Sequence, residues 1–117
     1  STLFRNSDKN FLIHAGVEIG VASTKAFTLQ ALTGFLMSRA MDGSLDDPKL
    51  FSEIQLLSNR IGELCANSES LNEVAQHIYN QKGFIFTGRG KYFPIALEGA
   101  LKLKEIAYVH AEGYAAG

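Results

Sequence analysis

Apolar residues recur along this chain at helical spacing in three places and in compact runs in two others. Between Thr24 and Met41 only Lys25 and Arg39 are charged, a pattern apolar around nearly its whole circumference. It predicts a helix buried against a sheet or other helices, with Ser23 or Thr24 able to cap its start and Asp42-Gly43 ending it. Ile54, Leu57, Ile61 and Leu64 follow at spacings of 3, 4 and 3, one apolar stripe on a helix running to about Ala66. Asp47 and Pro48 supply the cap and first helical residue of that helix. Ser70 and Glu73 form a capping-box pattern, and Leu71, Val74, Ala75, Ile78 and Tyr79 predict a further short helix.

The compact runs read as strands. Phe11 to His14, followed by a loop containing Gly16 and Gly20, predicts strand, loop and helix in succession. Gly83 to Thr87 is an apolar run bounded by glycines, as suits a buried strand of a parallel sheet. Gly88-Arg89-Gly90 then turns the chain, and Pro94 opens a helix reaching to about Ala107. This order is α/β grammar, in which ligands gather at the carboxyl ends of strands, where both glycine loops fall. The polar stretch 44–49 marks a boundary, dividing the chain into residues 1–43, a linker at 44–49, and residues 50–117. The chain begins without methionine and stops at Ala115-Ala116-Gly117 in a small-residue loop, so both ends are expected to be cut.

Composition narrows the function. With 117 residues, 46% hydrophobic and 20% charged, the chain is expected to bury one ordinary core. A net charge of -1 with no adjacent basic residues lacks the footprint of a nucleic-acid or anionic-membrane binder. No signal-peptide or membrane-spanning run is present, and the default is a cytoplasmic protein. Cys65 is the only cysteine, so no internal disulfide or cysteine metal cluster forms. It is expected to be a small core residue without chemistry. His14, His77 and His110 are scattered and make no metal-ligand spacing.

Two segments carry candidate chemistry. On a helix at about 100° per residue, Glu98, Lys102 and Glu105 fall within about 60° of one another while Lys104 points away. Ile95, Ile106 and Leu101 border this charged stripe, which is expected to face a cleft. A carboxylate beside an ammonium can move a proton next to a carbonyl and neutralise developing oxyanion charge. The same spacing is that of an ordinary helix-stabilising ion pair, and spacing alone favours the latter. The loop Gly20-Val21-Ala22-Ser23-Thr24 offers amides and hydroxyls at a helix start, suited to sugar or phosphate oxygens or simply to an N-cap. Gly88-Arg89-Gly90 lacks the rest of a dinucleotide fingerprint and is given a structural role.

Glu18-Ile19-Gly20-Val21-Ala22-Ser23-Thr24-Lys25-Ala26-Phe27 closely resembles the isomerase half of the glutamine:fructose-6-phosphate amidotransferases, the glucosamine-6-phosphate synthases. So does Gly88-Arg89-Gly90 followed by Tyr92 and Pro94-Ile95-Ala96-Leu97-Glu98-Gly99-Ala100-Leu101-Lys102-Leu103-Lys104-Glu105-Ile106, and His110-Ala111-Glu112 with Tyr114-Ala115-Ala116-Gly117 continues the match. The resemblance implies pieces of two consecutive sugar isomerase (SIS) domains, each a flavodoxin-like parallel sheet flanked by helices. It implies conversion of fructose 6-phosphate and glutamine-derived ammonia to glucosamine 6-phosphate without metal or organic cofactor. It further implies a glutaminase domain elsewhere in the parent chain and a homodimer.

By motif, Glu105 resembles the carboxylate that moves a proton between C1 and C2 of the open-chain sugar, and Lys102 the amine assisting at its oxygens. Glu98 resembles a supporting residue that orients Lys102. Val21, Ala22 and Ser23 resemble the sugar-contacting loop. The family's phosphate loop is expected before Ser1, its ring-opening histidine beyond Gly117, and its imine-forming lysine near the parent C-terminus; His110 is not that histidine. The isolated chain is therefore expected neither to isomerise sugar phosphates nor to bind them tightly. A non-catalytic sugar-phosphate-sensing module, or another SIS isomerase or deglycase, is the alternative. Glu105 with Lys102 speaks for an enzyme, because a sensor needs no proton-transfer pair.

Overall fold

The computed structural model describes residues 2–117 as helices α1 (Thr2–Asn6), α2 (Lys25–Met41), α3 (Pro48–Ala66) and α4 (Glu69–Ile78), then strand β1 (Gly83–Gly88), a 3₁₀ turn (Gly90–Tyr92), helix α5 (Phe93–Ala107) and strand β2 (His110–Ala115). The strands are parallel and in register from Gly83 opposite His110 to Gly88 opposite Ala115. Two parallel neighbours need a crossover, and α5 provides it, so residues 83–115 form one β-α-β unit.

Small residues set how closely that unit packs. Ala96, Ala100 and Ala111 are buried, Ala111 completely. A Cβ on Gly99 would lie 3.0 Å from the Phe86 ring, and one on Gly113 would lie 2.9 Å from the Leu97 backbone. The tightest approach is at Gly88, where a Cβ would come within 2.2 Å of the Tyr92 carbonyl oxygen. Gly88 therefore lets the chain turn directly from β1 into α5. Ala116 N–H donates to Gly88 O, and Arg89 Nε donates to Ala116 O. The Gly88-Arg89-Gly90 turn thus carries the structural role expected of it, joining the ends of the two strands.

Helix α3 begins as its sequence requires: Pro48 takes the first turn, and the Asp47 carboxylate accepts from Lys49 N–H at 3.0 Å. Helix α5 ends at Tyr108, whose N–H makes the last helical bond to Lys104 O and whose left-handed backbone (φ 54°) then turns the chain out of the helix.

Four expectations are corrected. Residues 11–14 form no strand: Phe11 and Leu12 are exposed, and His14 (φ 50°) and Gly16 (φ 68°) take left-handed backbone that breaks an extended run. Helix α2 has no buried residue: among the described residues only α5 packs on the sheet, whose other face is open with Ile85 exposed, and α2 lies beside α3 across an apolar groove of about 610 Å³. Helix α4 starts at Glu69 rather than after a Ser70 cap, so Ser70 lies inside the helix and the capping box is not made. Cys65 is exposed on α3 rather than in a core.

With Leu50 the only other buried apolar residue among the described ones, the expected single core is confined to the β-α-β unit. Among the described residues no helix is long and apolar enough to cross a membrane.

Candidate active site

The face of α5 that meets the sheet carries Ala96 and Ala100. At about 100° per residue, each lies about 160° from Glu98, so packing these alanines turns the charged stripe away from the sheet. Along the stripe, Lys102 Nζ lies 3.2 Å from Glu98 Oε1, one turn back, and 2.9 Å from Glu105 Oε2, nearly one turn ahead. The three side chains are half-buried, flanked by the more exposed Ile95, Leu101 and Ile106. The cleft expected beside this stripe is not formed by the described residues, which place nothing opposite it.

The hydrogen bond to Glu105 raises the affinity of Lys102 for its proton more than partial desolvation lowers it, and Glu98 adds to the rise. Lys102 is therefore a firmly held ammonium, suited to stabilising negative charge on a neighbouring oxygen rather than to acting as a base. Glu105 accepts from it at one oxygen, leaving the carboxylate's remaining lone pairs for a proton on a ligand. The Lys104 ammonium points elsewhere, 3.8 Å from Glu112 on β2.

The other candidate segment precedes α2. Val21 is exposed, and Ala22 and Ser23 are half-buried. No side chain of Ser23 or Thr24 caps the helix; the cap comes from upstream. Glu18 Oε1 accepts from the backbone N–H of Thr24 at 3.0 Å and of Ala26 at 3.4 Å, while Ser23 Oγ donates to Glu18 Oε2 at 3.4 Å. Lys25 Nζ donates to Val17 O, closing the loop from its other side. The amides of Thr24 and Ala26 are thus taken by an internal anion rather than left open to a phosphate.

Glu18 is the cap of this helix, and local capping rules miss it, since they look for a short polar side chain at the helix boundary. The signals available were a lone carboxylate upstream of a glycine-containing turn and its place at the head of the segment that carries the resemblance.

No hydrogen bond or ion pair among the described residues joins the 21–23 turn to the α5 stripe. Three or more His, Cys, Asp or Glu residues placed to hold a metal are likewise not found among them.

Residues 77–117, which include the whole β-α-β unit, match the SIS domain family. Over its full length the chain is 46% identical to the glutamine–fructose-6-phosphate aminotransferases (isomerizing) of Wigglesworthia glossinidia brevipalpis and Idiomarina loihiensis, and 44% identical to that of Escherichia coli K12. In each case it spans 20% of the relative's length. It superposes with a TM-score of 0.75 on a solved structure described as the C-terminal domain of glucosamine-fructose-6-phosphate aminotransferase from Francisella tularensis. That comparison has 46% identity and covers 98% of this chain and 34% of the other. The α/β architecture is therefore that of an SIS domain. The chain matches the SIS isomerase region of the glucosamine-6-phosphate synthases, about a fifth of the enzyme, and the resemblance carried by its motifs is borne out.

Proposed function

We propose that this chain is the part of a glucosamine-6-phosphate synthase that carries the proton-transfer pair of the isomerase reaction. In this reading Glu105 takes a proton from one of the carbons C1 and C2 of the open-chain sugar and returns it to the other. Lys102 neutralises charge developing on the sugar oxygens, and Glu98 holds Lys102 in place. Val21, Ala22 and Ser23 contact the sugar. The observation that carries the reading is the convergence of Glu98 and Glu105 on the Lys102 ammonium along the face of α5 turned away from the sheet, within the segment matching the SIS family.

The same reading places residues 1–43 at the end of one SIS domain, residues 44–49 in a linker, and residues 50–117 at the start of the next. It is supported by the break between Met41 and Pro48, where the chain leaves one long helix and begins another. For the whole protein, the resemblance to the synthases supports a glutaminase domain as source of ammonia and a cytoplasmic homodimer acting on fructose 6-phosphate. The 117 residues alone supply one cleft wall and are expected to be inert toward sugar phosphates.

The test grafts residues 1–117 into the Escherichia coli relative in place of its matching fifth and measures glucosamine 6-phosphate formed from fructose 6-phosphate and glutamine. Product is expected from the graft, with a loss of about 10²- to 10⁴-fold in kcat on Glu105→Gln. A graft that is active but indifferent to Glu105→Gln overturns the role of that carboxylate. Turnover by the 117-residue chain alone overturns the reading of it as a partial site.

A further inference from the structure

The cap on α2 also fixes the hydrogen-bonding polarity of Ser23. A serine hydroxyl has one proton to donate and lone pairs with which to accept. Here the proton goes to Glu18 Oε2 at 3.4 Å, while the other carboxylate oxygen is anchored by the amides of Thr24 and Ala26. Those amides lie at the positive end of a 17-residue helix, which stabilises an anion there, and they hold the Glu18 carboxyl below its usual range. Glu18 therefore stays a carboxylate and an acceptor, and Ser23 Oγ is left to present lone pairs outward.

We propose that Glu18 is a positioning residue for the sugar-contacting turn: by accepting the Ser23 proton, it makes Ser23 Oγ a hydrogen-bond acceptor that selects a proton-bearing sugar hydroxyl. This deepens the functional reading above and rests on it, since that reading assigns the 21–23 turn to the sugar. A phosphate dianion has no proton to offer such an acceptor and would also meet the Glu18 charge behind it. The turn is thus a site for the hydroxyl-bearing part of the substrate. Glu18 touches no substrate atom and acts through Ser23.

The test uses the same full-length graft. Glu18→Gln keeps the shape and one carbonyl oxygen for the Thr24 amide, but presents an NH₂ donor to Ser23 and so reverses the polarity of the hydroxyl. A rise in KM for fructose 6-phosphate on the order of tenfold is expected with kcat little changed, as for a lost ground-state hydrogen bond. Ser23→Ala should give a similar rise, and the double variant no more than either single one, because both changes remove one interaction. Should Glu18→Gln fail to fold, Glu18→Asp keeps the charge for the helix start but falls short of Ser23, and the same KM rise is expected.

A helix cap and nothing more would lower the thermal midpoint while leaving KM unchanged, and that result overturns the proposal. So does a double variant whose KM effect is the product of the two singles. An unsubstituted graft that makes no glucosamine 6-phosphate instead sinks the functional reading beneath it, which keeps the two failures distinct.

Discussion

Lys102 Nζ stands 2.9 Å from Glu105 Oε2, and the two side chains meet on the face of α5 opposite the alanines that seat the helix on its sheet. The packing that hides Ala96 and Ala100 is therefore what presents the pair. The ammonium also has Glu98 at 3.2 Å, so one cation bridges two carboxylates along a single stripe. Near neutral pH such a stripe holds one fixed positive charge and has carboxylate lone pairs to spare.

The first prediction concerns that charge. Hydrogen bonding to Glu105 raises the Lys102 proton affinity, so its stabilising contribution is complete below the ordinary lysine range, near about 10.4. It is lost only as pH climbs through the higher folded value. In the grafted enzyme, the pH profile of kcat should therefore show no alkaline limb attributable to Lys102 up to about pH 10. Lys102→Met should reduce kcat at every pH rather than move a limb. A limb near neutrality that disappears in the Met variant would show a deprotonating amine.

The second prediction contrasts two glycines. Adding a methyl at Gly88 drives a Cβ to 2.2 Å from Tyr92 O and 2.8 Å from Phe93 N, backbone atoms with no rotamer to yield. Gly88→Ala should destabilise the β-α-β unit by about 3 kcal/mol, at the top of the range for overpacking. Gly20→Ala meets nothing within 4 Å and should change stability by less than about 0.5 kcal/mol. Urea unfolding of the two variants, followed by circular dichroism, checks the difference; equal midpoints would contradict the close approach at Gly88.

How far these features could be read in advance depended on whether their causes were local. Asp47-Pro48 marked the start of α3 because a cap and its amide are neighbours in the chain. The stripe on α5 was legible because helical periodicity places Glu98, Lys102 and Glu105 together whatever lies beneath. Strand β2 was not legible, since His110-Ala111-Glu112-Gly113-Tyr114-Ala115 has small residues where strand rules look for β-branched ones. Ala111 and Gly113 are small because α5 lies on them, with a Gly113 Cβ excluded by Leu97, and that constraint is tertiary. The burial expected of α2 failed for the same reason: an apolar circumference states a need for partners without saying which segment meets it. Residues 11–14 had the composition of a strand and no neighbouring strand to pair with.

A third prediction follows from where burial is confined. Ala96, Ala100 and Ala111 lie in the β-α-β unit, and among the described residues only Leu50 is buried elsewhere. In the isolated 117-residue chain, native-state hydrogen exchange should find the slowest amides in β1, α5 and β2. The amides of α2 and α4 should exchange faster, as expected where few apolar contacts resist local opening. Uniform protection across all helices would show that α2 through α4 share one cooperative core with the sheet.

The last prediction concerns acid. The Glu18 carboxyl is held below the usual glutamate range chiefly by the Thr24 amide, with help from the Ala26 amide, the Ser23 hydroxyl and the nearby Lys25 charge, against partial desolvation. A depressed carboxyl stabilises the fold above the unfolded value, near about 4.3, and that contribution disappears as pH falls through the folded value. Between pH 8 and about pH 5 the cap should be intact, so the backbone amide shifts of Thr24 and Ala26 should stay constant over that window. Below it both should move together, with a common midpoint under about 4.3, as protonation removes the acceptor and the first turn of α2 frays. The Asp42 carboxyl is also depressed, by the Ser44 hydroxyl and amide, but it lies at the far end of α2 and should register at Ser44 instead. If the Thr24 amide titrates with an unshifted glutamate midpoint, or is indifferent to Glu18→Gln, the upstream carboxylate is not what holds the start of this helix.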